Sequence, residues 1–274
     1  MASLPNPLPS LASSGLDLPP GSLVDDTMDG TWHEPLLWYA NGPAAHGTWA
    51  AMRAAGKPLG LLPVLIDGGR REQWPEEWDL DPDGTSYPGD HDAEEVLNDY
   101  RSYNAEDTED TEDAENTEDS EDSPEHLDLV PRPEVAGPDE PDALAKEIAA
   151  QIIDAGDDGP SGPRIALVPA RRSADIPAAI GWTGPMNHEN DVARLCAVLR
   201  SWEDRFDIRV VELGFDTLVV SVARPPTTPA EARALAEEHY AFCPDNLDQG
   251  QSNDLDVYAE KALLNKEAWS FWWD

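Results

Sequence analysis

From about Thr31 onward the apolar positions fall into two alternating rhythms. "PLLWYA" (35–40) is a short unbroken apolar run suited to a buried strand. "AAHGTWAAMRAAG" then reads as a helix closing on Gly56, and "LGLLPVLID" (59–67) as a second strand, an order that favours parallel β-α-β pairing. Pro63 interrupts that strand with a residue that cannot donate to a ladder, which points to an edge or a bulge. "GDHDAEEVLNDYRSY" (89–103) predicts a helix capped by Asp90, with acids in its first turn where the helix dipole favours them.

A second set of elements begins near Asp139. Leu144, Ile148 and Ile152 recur at helical spacing and Gly156 stops the helix; "RIALVPA" (164–170) predicts the next strand. "NHENDVARLCAVLRSWEDRF" (187–206) is the strongest helix, with Asn187 as a cap and one stripe of Val192, Leu195, Cys196, Leu199, Trp202 and Phe206. "IRVVELGFDTLVVSVA" (208–223) reads as a hairpin of two strands around Gly214. Thr228, Pro229 and Glu231 supply the cap, first-turn proline and capping-box acid of a further helix, and another follows from about Asp254. In "WSFWWD" the aromatic residues Trp269, Phe271 and Trp273 alternate as in a strand. The expected fold is α/β, a mixed sheet flanked by helices, with strands near 35–40, 59–66, 164–169, 208–213, 217–223 and 269–273.

Between the two sets the pattern collapses. From Glu106 to Glu125 twelve of twenty positions are acidic and none is basic, in a run that repeats Thr-Glu-Asp. Such a segment buries too little apolar area to offset chain entropy, so it is expected to be a disordered insertion. The organisation expected is a flexible Pro/Ser/Gly-rich arm over 1–30, an N-terminal α/β part over 31–103, an acidic linker over 104–137 and a C-terminal α/β domain over 138–274. Two strands and two short helices make a small core alone, so the two ordered parts are expected to share one sheet.

Charge then narrows the functional classes. The formal net charge is -38, and it is uneven: residues 1–163 hold 38 acids against 7 basic residues, residues 164–274 hold 18 against 11. Bare nucleic acid and anionic membrane surfaces are therefore disfavoured, and a protein with a basic surface is the expected partner. Two cysteines outside any Cys-x-x-Cys pair fit a reducing cytoplasm. The first twenty residues lack the basic start and continuous apolar centre of an export signal, and no run reaches the roughly 18 apolar residues of a membrane span. Phosphate-loop, dinucleotide, Gly-x-Ser-x-Gly and His-Glu-x-x-His signatures are absent. No cofactor and no metal set is expected.

Five stretches, "GWTGPMNHEND", "LRSWEDRF", "ELGFDTLVVSVA", "EHYAFCPDN" and "WSFWWD", occur in order over about 164–274. Together they resemble the uncharacterised bacterial family called domain of unknown function 4253. The "LPPG" and "HDAEEVL" stretches resemble the N-terminal part of longer members; the acidic repeat lies outside the likeness. The resemblance implies no activity, cofactor or catalytic residue.

The candidate chemistry centres on "HYAFCPDN" (239–246). His239 and Cys243 stand four residues apart on one helix face, which suits half of a metal site or a Cys/His nucleophile pair. Pro244 places Cys243 at the helix C-terminus, where the dipole opposes a thiolate. The structural reading is a packed cysteine and a hydrogen-bonded histidine, with Asp245 and Asn246 organising the next turn. His188 and Asp191 are the nearest candidates in type from another helix, and helix capping is their structural reading. Asp90, His91 and Asp92 carry the same two readings, and Cys196 is read as core. The functional expectation is a non-enzymatic interaction module, an acidic inhibitor or immunity-type protein for a basic partner. The alternative is a small enzyme or metal- or ligand-binding domain using His239, Cys243, Asp245 and Asn246 with His188 or Asp191.

Overall fold

The computed structural model describes residues 6–111, 126–134, 140–155, 162–250 and 254–274. The strands in chain order are β1 (Gly21–Val24), β2 (Asp26–Thr27), β3 (Gly30–Thr31), β4 (Leu37–Ala40), β5 (Leu61–Ile66), β6 (Arg164–Pro169), β7 (Ile208–Leu213), β8 (Thr217–Val222) and β9 (Ala268–Trp272). The helices are α1 (Thr48–Gly56), α2 (Ala93–Thr111), α3 (Pro141–Ala155), α4 (Ile176–Ile180), α5 (Val192–Phe206), α6 (Pro229–Phe242), α7 (Asp245–Asp248) and α8 (Leu255–Tyr258), the last running into a π-helical turn at Ala259–Leu263. Seven strands form one mixed sheet in the order β1-β4-β6-β5-β7-β8-β9, and β2 and β3 pair separately. The expected fold class and the shared sheet are both present.

Helices cover both faces, so the sheet is buried on each side. One core carries Val96, Leu97 and Tyr100 of α2, the α5 stripe, and Leu235 and Phe242 of α6, with the β9 aromatics. The other packs Trp49 and Met52 of α1 and Leu144, Ile148 and Ile153 of α3 against Leu61, Leu65 and Leu167. Strands β5 and β6 lie between these layers, which accounts for their unbroken apolar runs. The N-terminal stretch read as a flexible arm is packed over its described part: Leu8 and Leu11 are buried in the second core, and β1 pairs with β4.

One strand pairing and two helix caps differ from the sequence expectation, while Pro63 stands at an edge as expected. β4 and β5 do not pair with each other, because β6 enters between them antiparallel to both. Pro63 is tolerated because the parallel pairing of β5 with β7 is confined to Leu65 and Ile66, so at Pro63 the strand is an edge on that side. The caps shift: the Asp92 carboxylate, not Asp90, accepts from the Glu94 and Glu95 N–H groups, and Asp191, not Asn187, accepts from Ala193 N. Both caps stand immediately before the first helical residue, where two free N–H groups lie in reach of a short carboxylate.

The expected linker is also shorter than its sequence reading. Residues 112–125 of the acidic run lie outside the described residues, but 126–134 lies on the protein with Leu127 and Val130 buried. Asn98 of α2 grips that segment by its backbone: Leu127 N donates to Oδ1 at 2.8 Å and Nδ2 donates to the Leu127 carbonyl at 3.0 Å. Gly181, ending α4, sits at a positive φ of 63°, and a Cβ there would meet the Asp81–Pro82 backbone at about 2.3 Å. That close approach seats the loop before α2 and requires glycine.

Candidate functional site

Helix α6 begins with a complete capping box between Thr228 and Glu231 and ends at Cys243, whose φ of -152° leaves the helix as Pro244 requires. One turn before that end, the His239 ring lies wholly inside the protein. Trp202, Trp269 and Phe271 enclose it at centroid distances of 4.8, 4.7 and 4.9 Å. Nδ1 meets the Tyr258 hydroxyl at 3.1 Å, while Nε2 has no hydrogen-bond partner among the described residues. Burial, and then the nearby Arg205 charge, lower its pKa to about 3. His239 is therefore a neutral imidazole at physiological pH.

Cys243 is equally enclosed. Its Sγ donates to the Trp272 carbonyl at 3.0 Å, and burial raises the thiol pKa to about 12. The thiol and the imidazole thus bond to different partners, and neither is poised as nucleophile or base. Asn246 continues the line. Its Nδ2 donates to the Ser270 carbonyl at 2.8 Å and its Oδ1 accepts from Trp272 N at 3.2 Å, so a side-chain amide occupies the place of a neighbouring strand on the outer edge of β9. Asp245 Oδ2 accepts from Asp274 N at 3.0 Å. Cys243, Asp245 and Asn246 together clamp the last strand to the end of α6.

His188 meets this corner from the loop before α5. Its ring packs on Tyr100 at 4.7 Å, and burial lowers its pKa against the opposing influence of Glu189, Asp245 and the Ala241 backbone. The contact is closed, with Asn187 Nδ2 donating to the Asp274 carbonyl at 2.5 Å. Asp191 turns away to cap α5 and accepts from Ser86 N at 3.0 Å. The six candidate residues are thus not one constellation: five gather at the corner and Asp191 joins another group.

That group has the composition of a hydrolytic triad. Ser86 Oγ lies 2.6 Å from His91 Nε2, and Asp191 Oδ2 approaches the same nitrogen at 3.7 Å. A working triad needs the carboxylate on Nδ1, opposite the hydroxyl, to fix the tautomer. With both groups on Nε2, the arrangement is a capped helix start.

Two features of the corner escape the sequence reading. Glu238, beside His239, is completely buried with its carboxylate held by Arg205 through two bonds of 2.7 and 2.8 Å, by Trp202 Nε1 at 2.7 Å and by Val130 N at 2.7 Å. On the outer side of Tyr258 opens a cavity of about 350 Å³ that includes Asn246, Lys261, Lys266, Trp269 and Ser270. The available signal is scarcity: the whole chain has four lysines, and two of them fall within six positions of each other here.

The fold and the corner define a mixed α/β protein whose Cys–His motif is a structural seal beside an open, lysine-flanked cavity. Residues 164–274 match the family model described as "Domain of unknown function (DUF4253)", the C-terminal part over which the five motifs occur. No curated protein and no solved structure matches the chain. The matched stretch begins at β6, so β5, which lies outside it, separates its first strand from the rest. Among the described residues no helix is long and apolar enough to cross a membrane.

Proposed function

We propose that the protein is a non-enzymatic interaction module of the bacterial cytoplasm whose acidic surface binds a basic partner protein, in the manner of an inhibitor or immunity protein. The observation that carries this reading is where the positive charge goes. Among the described residues at least nine arginines are engaged in ion pairs with acidic side chains of the same chain, including the buried Arg205–Glu238 pair and the Arg172–Glu203–Arg209–Asp142 chain. Cations used internally leave the acidic excess to set the outward field, and such a field steers a basic partner and is screened by salt. Both cysteines are free and buried, in keeping with a reducing compartment. The test is affinity capture on the immobilised full chain at low and high ionic strength. A basic protein retained at low salt, released at high salt and binding the purified chain directly is the expected result; no specific partner at low salt defeats the reading.

A second reading, a ligand-binding domain, is favoured by the cavity. Lys261 and Lys266 lie outside any ion pair among the described residues, and both line the cavity next to the Tyr258 hydroxyl. A small anion with a flat apolar part would meet two cations and the Trp269 ring. Titration with benzoate, which carries both the anion and the flat apolar part, and with inorganic phosphate, which carries the charge alone, is read by thermal shift on wild type and on Lys266→Gln; a shift with benzoate that Lys266→Gln loses supports this reading.

A further inference from the structure

We propose that Glu94, His126 and Asp128 form a binding site for one divalent transition-metal ion of the zinc or manganese type. Their ligand atoms all lie within 4.8 Å of one another, and His126 Nε2 stands 3.1 Å from Glu94 Oε1. Two ligands each about 2.1 Å from a tetrahedral ion are separated by about 3.4 Å, so this pair already has the span an ion requires. Rotation of the exposed Asp128 carboxylate supplies the third ligand. One imidazole with two carboxylates selects first-row transition ions over calcium or magnesium, which take oxygen alone. Remaining positions face solvent and accept water.

The surrounding chain sets these ligands in place without an ion. His126 and Asp128 flank buried Leu127 and are themselves exposed, the alternation of an extended backbone that turns both ligands outward on the same side. Glu94 stands in the first turn of α2, and Asn98, one turn further along the same helix face, holds the Leu127 backbone by two hydrogen bonds. Val130, three residues on, is tied to Glu238. The chain is thus fastened between the two ligands at Leu127 and again just after them at Val130, by bonds that do not involve the ligands, which lowers the ordering cost of binding. The net charge of -38 adds a field that concentrates cations at the surface.

Diffuse attraction to the acidic run and coordination at three side chains differ in stoichiometry and selectivity. The test is calorimetric titration of the untagged full chain with zinc ion in salt that screens the surface and with magnesium in large excess. Saturation at one zinc per chain is expected. His126→Ala and Asp128→Asn should each weaken binding about tenfold or more, and Glu95→Gln, an exposed neighbour outside the cluster, should leave it unchanged. Because His126 and Asp128 are exposed, both variants should fold, and circular dichroism checks this. Absence of saturable binding, its abolition by magnesium, or wild-type affinity in His126→Ala overturns the proposal and leaves the 3.1 Å contact as a surface hydrogen bond.

Discussion

Glu238 keeps a charge where water does not reach. Its carboxylate accepts from Arg205, Trp202 and Val130, so both oxygens are satisfied and the pair survives burial. Truncation removes the counter-charge and strands the Arg205 guanidinium and the Trp202 N–H. Glu238→Ala should therefore cost about 3–5 kcal/mol, measured by urea denaturation. His239 gives a pH signature instead. Its pKa of about 3 in the fold lies below the ordinary histidine value, so between these limits the unfolded chain binds the extra proton. Its contribution is complete above about pH 6.5 and is lost as the pH falls towards 3, by at most about 1.4 kcal/mol per pH unit. In His239→Gln the difference in stability from wild type should shrink steadily over that range. A pH-independent difference would show that the imidazole is protonated inside the aromatic cage.

At the level of elements, β9 illustrates how a sheet edge is closed by side chains. The exposed edge of an amphipathic aromatic strand invites pairing with another chain, and the Asn246 amide blocks it by satisfying Ser270 and Trp272. Asn246→Ala should lose about 1–2 kcal/mol, roughly two neutral hydrogen bonds, and should raise the tendency to associate, seen by light scattering. Asn246→Asp keeps the acceptor for Trp272 N but sets a carboxylate oxygen against the Ser270 carbonyl, so it should lose at least as much as Asn246→Ala. The strand itself was legible from the alternation of Trp269, Phe271 and Trp273, and the α5 and α6 helices from their stripes and start signals, because local spacing decides them. The caps were less so, since Asp90 and Asp92, or Asn187 and Asp191, are equivalent until the helix start is fixed. At the candidate corner the structural reading of a packed cysteine and a hydrogen-bonded histidine could be made from residue type and helix position, but the aromatic cage around them could not. Whether His239 faces solvent depends on Trp202 and Phe271, which belong to other elements. The proposed ion cluster was invisible for the same reason, as Glu94 and His126 meet only across the long acidic insertion.

For the molecule as a whole, the decisive fact is the interleaved strand order. β6 opens the family-matched stretch but lies between β4 and β5 from the N-terminal part, while β7 reaches the sheet through β5. Residues 164–274 expressed alone would leave β6 without either neighbour and expose both of its apolar faces. Such a fragment should show no cooperative thermal transition, whereas the full chain should; calorimetry distinguishes the two. Sequence pattern announced six strands of the main sheet and their sharing it, but not β1, which was read as part of a flexible arm, and not the strand order, which depends on which long loops close, information that no local window holds. Removing 104–137, the stretch expected from sequence to be a linker, should lower the thermal midpoint. That deletion takes Leu127 and Val130 out of the core and one bond from Glu238.

The same interleaving bears on how the chain tolerates change in length. Pairing β5 with β6 already closes the long excursion from Ile66 to Arg164, and the entropy of ring closure grows only with the logarithm of contour length. Doubling such a loop adds about 0.6 kcal/mol, so gaining or losing a Thr-Glu-Asp triplet costs far less than that. The repeat tract can drift in copy number with little thermodynamic resistance from the sheet, whereas the first assembly of its central strands must wait for distant segments to meet.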